Sequence, residues 1–417
     1  MMKAWAWLLL GVAASAVSWT YMHRILLPWE HYVNVEHGWV KAAMGDLYPR
    51  WVGTQELLLR GENPYSADVS HKIQIAFYGR PIEQSYDKPQ FEIIDEQRFA
   101  YPVYIVFLLA PTVHADFEML QRWTPILLGA LTIISIWLWL GVLHWRPPLW
   151  LLFVLMLVVL STPQIAQGMR LRQFGLFAAF LLAFATWFVM KKRLFLAGVL
   201  LAVATIKPQM VLLCLVWFFI WTLGDWGKRW PLVGGFGVTL GLLVGAGEIL
   251  VPGWIRYFVE GMAAYRKYFP LGNMSVVRLI LGNWIGGVFS ILAVGILLVY
   301  AWNRRQVTAE SPEFTQVLSF FFISASLILP LLTPYNQVLL LLPLLMLMRD
   351  WEYLPRWDRV GFALFLAWPF VAAAALLIFP PPLDTHRTAL LPSALLPLGP
   401  FLFFWLMFTL SRREALS

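Results

Sequence analysis

Gly45-Asp46-Leu47-Tyr48-Pro49-Arg50-Trp51 lies inside a polar stretch that runs from Arg24 to Arg98 between hydrophobic segments. The first polar region, residues 23–119, carries 13 of the 23 Asp and Glu residues, whereas the rest of the chain is mostly apolar. Connections longer than about 15 residues are usually functional when they are not linkers. The sequence therefore predicts that the chemistry of the molecule takes place beside this region.

The composition is that of a polytopic α-helical membrane protein. Hydrophobic residues make up 60% and charged residues 13% of the 417, whereas soluble domains carry roughly 25% charged residues. Apolar runs long enough to cross about 30 Å of hydrocarbon recur along the chain. We predict an all-α helix bundle, a single integral membrane domain over residues 1–417, with about twelve transmembrane helices. The spans are drawn at 5–22, 120–143, 149–167, 173–190, 194–206, 208–224, 231–251, 279–301, 314–332, 335–348, 360–379 and 392–410.

The basic residues predict the orientation of the chain. With both termini cytoplasmic and with 101–113 not crossing, 14 of the 31 Lys and Arg residues fall in short inside loops, and eight fall in the later outside loops. This asymmetry follows the positive-inside rule. The net charge of +8 therefore reflects topology and does not indicate a nucleic-acid partner.

The large first loop, residues 23–119, is expected to hold interfacial helices packed on the bundle. Residues 50–60 are one such helix, with Trp51, Leu57 and Leu58 facing the membrane surface. The apolar stretch 101–113 is too short for a comfortable span and is expected at the interface, as a helix beginning at Tyr101-Pro102. A second interfacial helix is expected within 254–278.

Polar residues collect at the predicted outer ends of the spans, and we take them as candidate site residues. Asp46 follows the first span and is the candidate catalytic base, because a carboxylate can accept the proton of an acceptor hydroxyl. Cations on the same face can hold a phosphate as negative charge develops on it. No His-rich or Asp-x-Asp motif is present, so neither a metal nor a cofactor is expected. The candidate binding residues are Arg50, Tyr101, Arg170, Arg172, Gln173, Lys207, Arg266, Lys267, Tyr335, Asn336, Gln337 and His386.

Each candidate also has a structural interpretation. Asp46 suits the N-cap of the helix that follows it. Lys207 can extend its ammonium group from a short helix toward water, and Arg170 and Arg172 can anchor the membrane interface. At the level of function, a transporter or lipid flippase and a non-catalytic subunit of an envelope-polymer assembly are alternatives to an enzyme. A transporter is expected to show repeated halves, and we find no convincing repeat.

A series of short motifs resembles a known enzyme family. Leu57 to Tyr65 reads Leu-Leu-Leu-Arg-Gly-Glu-Asn-Pro-Tyr and is followed by Phe99-Ala100-Tyr101-Pro102. Arg172-Gln173-Phe174-Gly175, Thr205-Ile206-Lys207-Pro208 and Thr333-Pro334-Tyr335-Asn336 come next. In this order, over about residues 5–350, the chain resembles the polyprenyl-phosphate-sugar-dependent glycosyltransferases of family 87, membrane enzymes of the GT-C class.

The resemblance implies a function for the first loop. It implies transfer of a sugar, often mannose, from a polyprenyl-phosphate donor to a lipid or glycan acceptor, with inversion, outside the inner (plasma) membrane. It implies that an acidic base in the first outside loop maps to Asp46. The chain departs from mycobacterial mannosyltransferase members at Asn336 and Gln337, where those members carry histidines.

Overall fold

A computed structural model of the chain describes residues 4–36, 44–81, 97–268, 275–329 and 333–382. Within these ranges the regular structure is helical, with no strand. A π-helical turn, Met22–Leu26, joins the first two helices, and short 3-10 segments cover Ala110–Thr112, Pro334–Leu340 and Trp351–Tyr353. The α-helices are α1 (Ala4–Tyr21), α2 (Leu27–Glu36), α3 (Leu47–Arg60), α4 (Ala67–Tyr78), α5 (Ile105–Leu109), α6 (Phe117–Val142), α7 (Leu149–Ser161), α8 (Pro163–Arg170), α9 (Phe174–Met190), α10 (Leu194–Ala204), α11 (Pro208–Leu223), α12 (Trp226–Leu250), α13 (Trp254–Tyr268), α14 (Val276–Leu281), α15 (Asn283–Asn303), α16 (Pro312–Ile328), α17 (Leu341–Arg349) and α18 (Arg356–Ile378).

The predicted all-α membrane fold is confirmed. In the part of the chain that the structure describes, five helical stretches are long and apolar enough to cross a membrane, and α7 with α8 makes a sixth if the bent pair is one span. Four shorter apolar helices, α9, α10, α11 and α16, accompany them. The count of twelve stays a prediction, and the last predicted span, 392–410, lies outside the described residues. The five long stretches are Ala4–Val35, Phe117–Val142, Trp226–Leu250, Asn283–Asn303 and Arg356–Ile378.

Three predicted spans differ from the helices observed. The span drawn at 149–167 is broken at Thr162, where α7 and α8 meet at a bend of 59°, because the residue before Pro163 is held in an extended conformation. The span drawn at 335–348 begins as the 3-10 segment Pro334–Leu340 and becomes α-helical only at Leu341. The first helix continues beyond residue 22 through α2, so the polar loop begins later than predicted.

Two hydrophobic clusters position the site. The larger lies among α6, α9, α10, α11, α16 and α17 and is rich in aromatic residues such as Trp217, Phe218 and Phe314. The second joins α3, α4 and α5 to the beginning of α13. Trp51 and Leu57 of α3 are buried within this second cluster, so their predicted position on the membrane surface is wrong; only Leu58 of the three is exposed.

The stretch 101–113 does not form a span. Its only α-helix is the five-residue α5, which at 1.5 Å per residue extends for about 8 Å. That helix begins at Ile105 and not at Tyr101-Pro102 as predicted. Val103, Ile105 and Val106 are fully buried in the second cluster, so this stretch packs the first loop against the bundle.

Candidate active site

Asp46 lies at the N-cap position of α3, beside the turn between α8 and α9. Its backbone N–H donates to the carbonyl oxygen of Leu171 at 2.9 Å. Gly45 has a φ of +67°, and a Cβ at that position would come within 2.8 Å of the same oxygen. Glycine is therefore required here for two reasons, its backbone conformation and the close approach of the two turns. The side chain of Asp46 makes no capping hydrogen bond to α3.

Lys207 occupies the short link between α10 and α11 and is buried. Its Nζ donates to the Oε1 atom of Gln173 at 3.0 Å and lies 4.8 Å from the centre of the Tyr335 ring. Gly175 makes this arrangement possible, because a Cβ at that position would lie 2.9 Å from the Lys207 Nζ. Three motifs that are distant in sequence therefore meet at one ammonium group.

Arg50 and Tyr101 complete the wall around Asp46. The guanidinium of Arg50 lies 4.6 Å from the centre of the Tyr101 ring, and its Nη1 donates to the backbone oxygen of Asp46 at 2.7 Å. Burial raises the pKa of the Asp46 carboxyl, and the charges of Arg50, Lys207 and Arg170 act in the opposite direction. Burial lowers the pKa of the Lys207 ammonium group to about 7, and the nearby Asp46 acts in the opposite direction. The Asp46 carboxyl group thus lies close enough to several cations for their charges to lower its pKa.

Arg170 is held by a partner that sequence reasoning missed. Its Nη1 and Nη2 donate to the two carboxylate oxygens of Glu30 at 2.6 and 2.5 Å. This bidentate pair connects α8 to α2, and planar two-point pairing of this kind is among the strongest hydrogen-bonded arrangements. The one available signal was an acid directly after the apolar end of the first helix, at Pro28-Trp29-Glu30.

Arg172 lies near the site but donates to backbone oxygens. Its Nε and Nη2 both reach the carbonyl oxygen of Gln121 at 3.3 Å, and its Nη1 reaches that of Arg170 at 2.9 Å. Its φ of +55° is unusual for a residue other than glycine. These bonds hold the α8–α9 turn, and therefore Gln173, against the start of α6.

Three buried amide oxygens have no hydrogen-bond partner within the described ranges. They belong to Gln167 of α8 and to Asn336 and Gln337 of the 3-10 segment, and these two elements pack against each other. The Nδ2 of Asn336 donates to Thr333. Unpaired buried acceptors are uncommon in folded proteins, so this seam has capacity for hydrogen-bond donors.

The structure does not describe the side chains of three predicted site residues, so these remain predictions. The structure describes the backbone of Arg266 and Lys267 within α13 but not their side chains, and His386 lies outside the described residues. Glu56, another buried acid of the first loop, is paired with Arg60 and Lys72. Among the described residues, no three His, Cys, Asp or Glu side chains form a metal-binding group.

Comparison with known proteins identifies the family. A family model described as glycosyltransferase family 87 matches residues 99–334, more than half of the chain. The chain belongs to glycosyltransferase family 87. No curated protein and no solved structure gives a match.

Family 87 membership makes the chain a glycosyltransferase, and its apolar helices make it a multi-pass membrane protein. The matched residues include Tyr101, Gln173 and Lys207. Asp46 precedes the match, and Tyr335 and Asn336 follow it. Their assignment to the candidate site therefore rests on the geometry described above.

Proposed function

We propose that this family 87 glycosyltransferase transfers a hexose, such as mannose, from a polyprenyl-phosphate donor to a lipid- or polymer-linked hydroxyl on the extracytoplasmic face. The transfer inverts the anomeric centre, and Asp46 is its general base. The proposal rests on the environment of the Asp46 carboxylate. This group makes no capping hydrogen bond to its own helix. It also lies close enough to Arg50 and Lys207 for their charges to act on its pKa.

The chemistry requires one group that accepts a proton and one that stabilises a leaving phosphate. As the acceptor oxygen bonds to the anomeric carbon, its proton passes to the Asp46 carboxylate. The bond from the anomeric carbon to the phosphate oxygen breaks, and its electron pair remains on the phosphate. The ammonium group of Lys207 stabilises the negative charge left on the phosphate, and this stabilisation is stronger when little water is present. Asp46 and Lys207 therefore have opposite and complementary roles.

The seam between α8 and the 3-10 segment supports recognition of a sugar. Sugar hydroxyls are hydrogen-bond donors, and the unpaired oxygens of Gln167, Asn336 and Gln337 are acceptors. A donor phosphate on Lys207 places the attached sugar beside Asn336, because both groups face Gly175. Amide side chains here do the hydrogen bonding that histidines offer in other members.

The deciding experiment is sugar transfer by the purified Asp46→Asn protein. Asparagine keeps the shape of the side chain and caps helices as well as aspartate, but it cannot accept the proton. We expect turnover to fall by about 10²–10⁴-fold while binding of the polyprenyl-phosphate donor persists and the thermal melting temperature is unchanged.

Asp68→Asn is the matched control, because Asp68 is an exposed acid in the same loop region. It is expected to leave both rate and stability unchanged. Full activity of Asp46→Asn would contradict the proposal and would assign Asp46 a role in the fold alone. Glu56→Gln would then be the next variant to assay, since Glu56 is a buried acid in the described part of this loop.

A further inference from the structure

A cavity of about 640 Å³ lies at the end of the bundle away from Asp46. It is formed by the last turns of α6 and α9, the link from α6 to α7, and the first turns of α7. Its walls carry three indole rings and three basic side chains, namely Trp137, Trp145, Trp187, His144, Arg146 and Lys191. None of these residues has a role in the proposed transfer reaction.

The helices themselves separate this cavity from the candidate active site. Both α6 and α9 begin beside the site, since Gln121 bonds to Arg172 and Phe174 contacts Tyr101. The 26 residues of α6 extend for about 39 Å. The cavity therefore lies at the opposite membrane surface from the site.

Part of the rim of the cavity is apolar and exposed. Trp137 on its rim is 66% exposed, and Leu149, the first residue of α7, is 83% exposed. Exposed tryptophans are typical of the level where hydrocarbon meets headgroups. A molecule that enters here therefore comes from the membrane more readily than from water.

The charge of the cavity selects an anion. Arg146 and Lys191 are exposed, so both remain available, and the Lys191 Nζ lies 5.6 Å from the centre of the Trp187 ring. Among the described residues that line the cavity there is no Asp or Glu. Basic pockets between transmembrane helices are a recognised means of binding acidic headgroups.

We propose that this cavity binds the phosphate headgroup of an anionic phospholipid in the leaflet opposite the active site. Arg146 and Lys191 contact the phosphate, while the indoles of Trp137 and Trp187 pack against the glycerol and the first methylenes of the acyl chains. This proposal does not depend on the donor, the acceptor or the base of the transfer reaction.

The test is native mass spectrometry of the full-length protein with phosphatidylglycerol and phosphatidylcholine present in equal amounts. The wild type should retain phosphatidylglycerol preferentially. The Arg146→Gln, Lys191→Gln double variant should lose this preference by on the order of tenfold or more, because each basic residue near a membrane surface contributes about fivefold.

The matched control is the Lys192→Gln, Lys228→Gln double variant. These lysines are also exposed, with 84% and 85% of their side-chain surfaces accessible. They lie outside the cavity, and the control removes the same total charge. It should keep the preference of the wild type. If the first double variant does not fold, Lys191→Gln alone should lower the preference by about fivefold.

Three results would overturn the proposal. The first is equal retention of the two lipids by the wild type. The second is an equal loss in both double variants, which would indicate a diffuse attraction to the basic surface. The third is displacement of the lipid by soluble glycerol 3-phosphate as readily as by added phosphatidylglycerol, which would indicate a site for a soluble anion.

Discussion

The carboxylate of Asp46 stands at an N-cap position without serving as a cap. Ser66 at the start of α4 and Ser311 at the start of α16 both accept a backbone N–H of their helices, as residues at this position usually do. Asp46 has backbone dihedral angles in the helical region and makes no such bond. Its partly buried charge is therefore available to another group, which favours the base over the structural alternative.

The pKa of Lys207 leads to a prediction about pH. An ammonium group attracts phosphate only while it is protonated, and the pKa of about 7 caused by burial means that this charge is lost as the pH rises through that region. We expect the KM for the polyprenyl-phosphate donor to rise above pH 7 in the wild type.

At pH 6 the KM of Lys207→Gln should exceed that of the wild type by about 30-fold or more if the phosphate contact is desolvated. The variant's KM should not change with pH in this range, so the difference from the wild type should shrink as the pH rises. Steady-state kinetics between pH 6 and 9 check this, with Lys72→Gln, in the first loop, as a control. A rise of the same size in Lys207→Gln would assign the titration to a different group.

How much of the site the sequence predicts depends on the residue. Gln173, Lys207 and Tyr335 belong to short motifs, and the fold brings them together near Asp46. Glu30 belongs to no motif, so its pairing with Arg170 emerges only when α2 and α8 are placed side by side. A motif therefore predicts the chemical role of a residue, but it does not predict which side chain that residue will contact.

The helical elements show the same limit. Average hydropathy predicts that α7 and α8 form one span, because it does not register that Thr162 before Pro163 must leave the helical conformation. The break turns α8 away from α7 by 59°. Because of this break, α8 does not continue through the apolar layer, and its residues Gln167 and Arg170 lie at the candidate site. Two of the three departures from the predicted spans, α8 and Pro334–Leu340, therefore carry polar groups at the candidate site.

The contact between α2 and α8 gives a prediction about stability. The Glu30–Arg170 pair is mostly buried, with 24% and 23% of the two side chains exposed. Arg170→Met leaves the Glu30 charge without its partner, and we expect it to destabilise the protein by about 2 kcal/mol. The Glu30→Gln, Arg170→Met double variant should cost less than the sum of the single variants, because the two residues are coupled.

Thermal melts of the purified variants measure this coupling. Arg122→Gln is the control, since its pair with Glu118 is exposed on both sides and should contribute less than about 1 kcal/mol. Additive effects of the two single variants would show that the pair does not hold α2 against α8. An unchanged melt with a raised donor KM in Arg170→Met would instead place Arg170 in the binding site, as the sequence predicted.

At the scale of the whole molecule, α9 connects the candidate active site to the opposite end of the helix bundle. α9 runs from Gln173 at the active site to Lys191 at the far cavity, and its 17 residues extend for about 26 Å, close to the thickness of the hydrocarbon layer. Apolar periodicity predicts this helix well, because lipid and core both select apolar side chains. It does not predict that most of α9 is buried in the bundle, since burial depends on neighbours such as α6 that are distant in sequence.

The orientation of the chain in the membrane can be tested at two exposed positions. Cys214 is the chain's one cysteine and is buried, so Cys214→Ala provides a background for single cysteines at Glu62 and Lys192.

The basic residues around Lys192 favour the cytoplasm, and α9 separates that end from the active site. A membrane-impermeant maleimide on spheroplasts should therefore label Glu62→Cys at once and Lys192→Cys only after the membrane is opened. Lys228→Cys, in the first turn of α12, should behave like Lys192→Cys. Labelling of Glu62→Cys and Lys192→Cys from the same side would contradict the separation of the two faces. Reversed labelling would keep the fold but place Asp46 in the cytoplasm, so that the donor would have to present its sugar on that side.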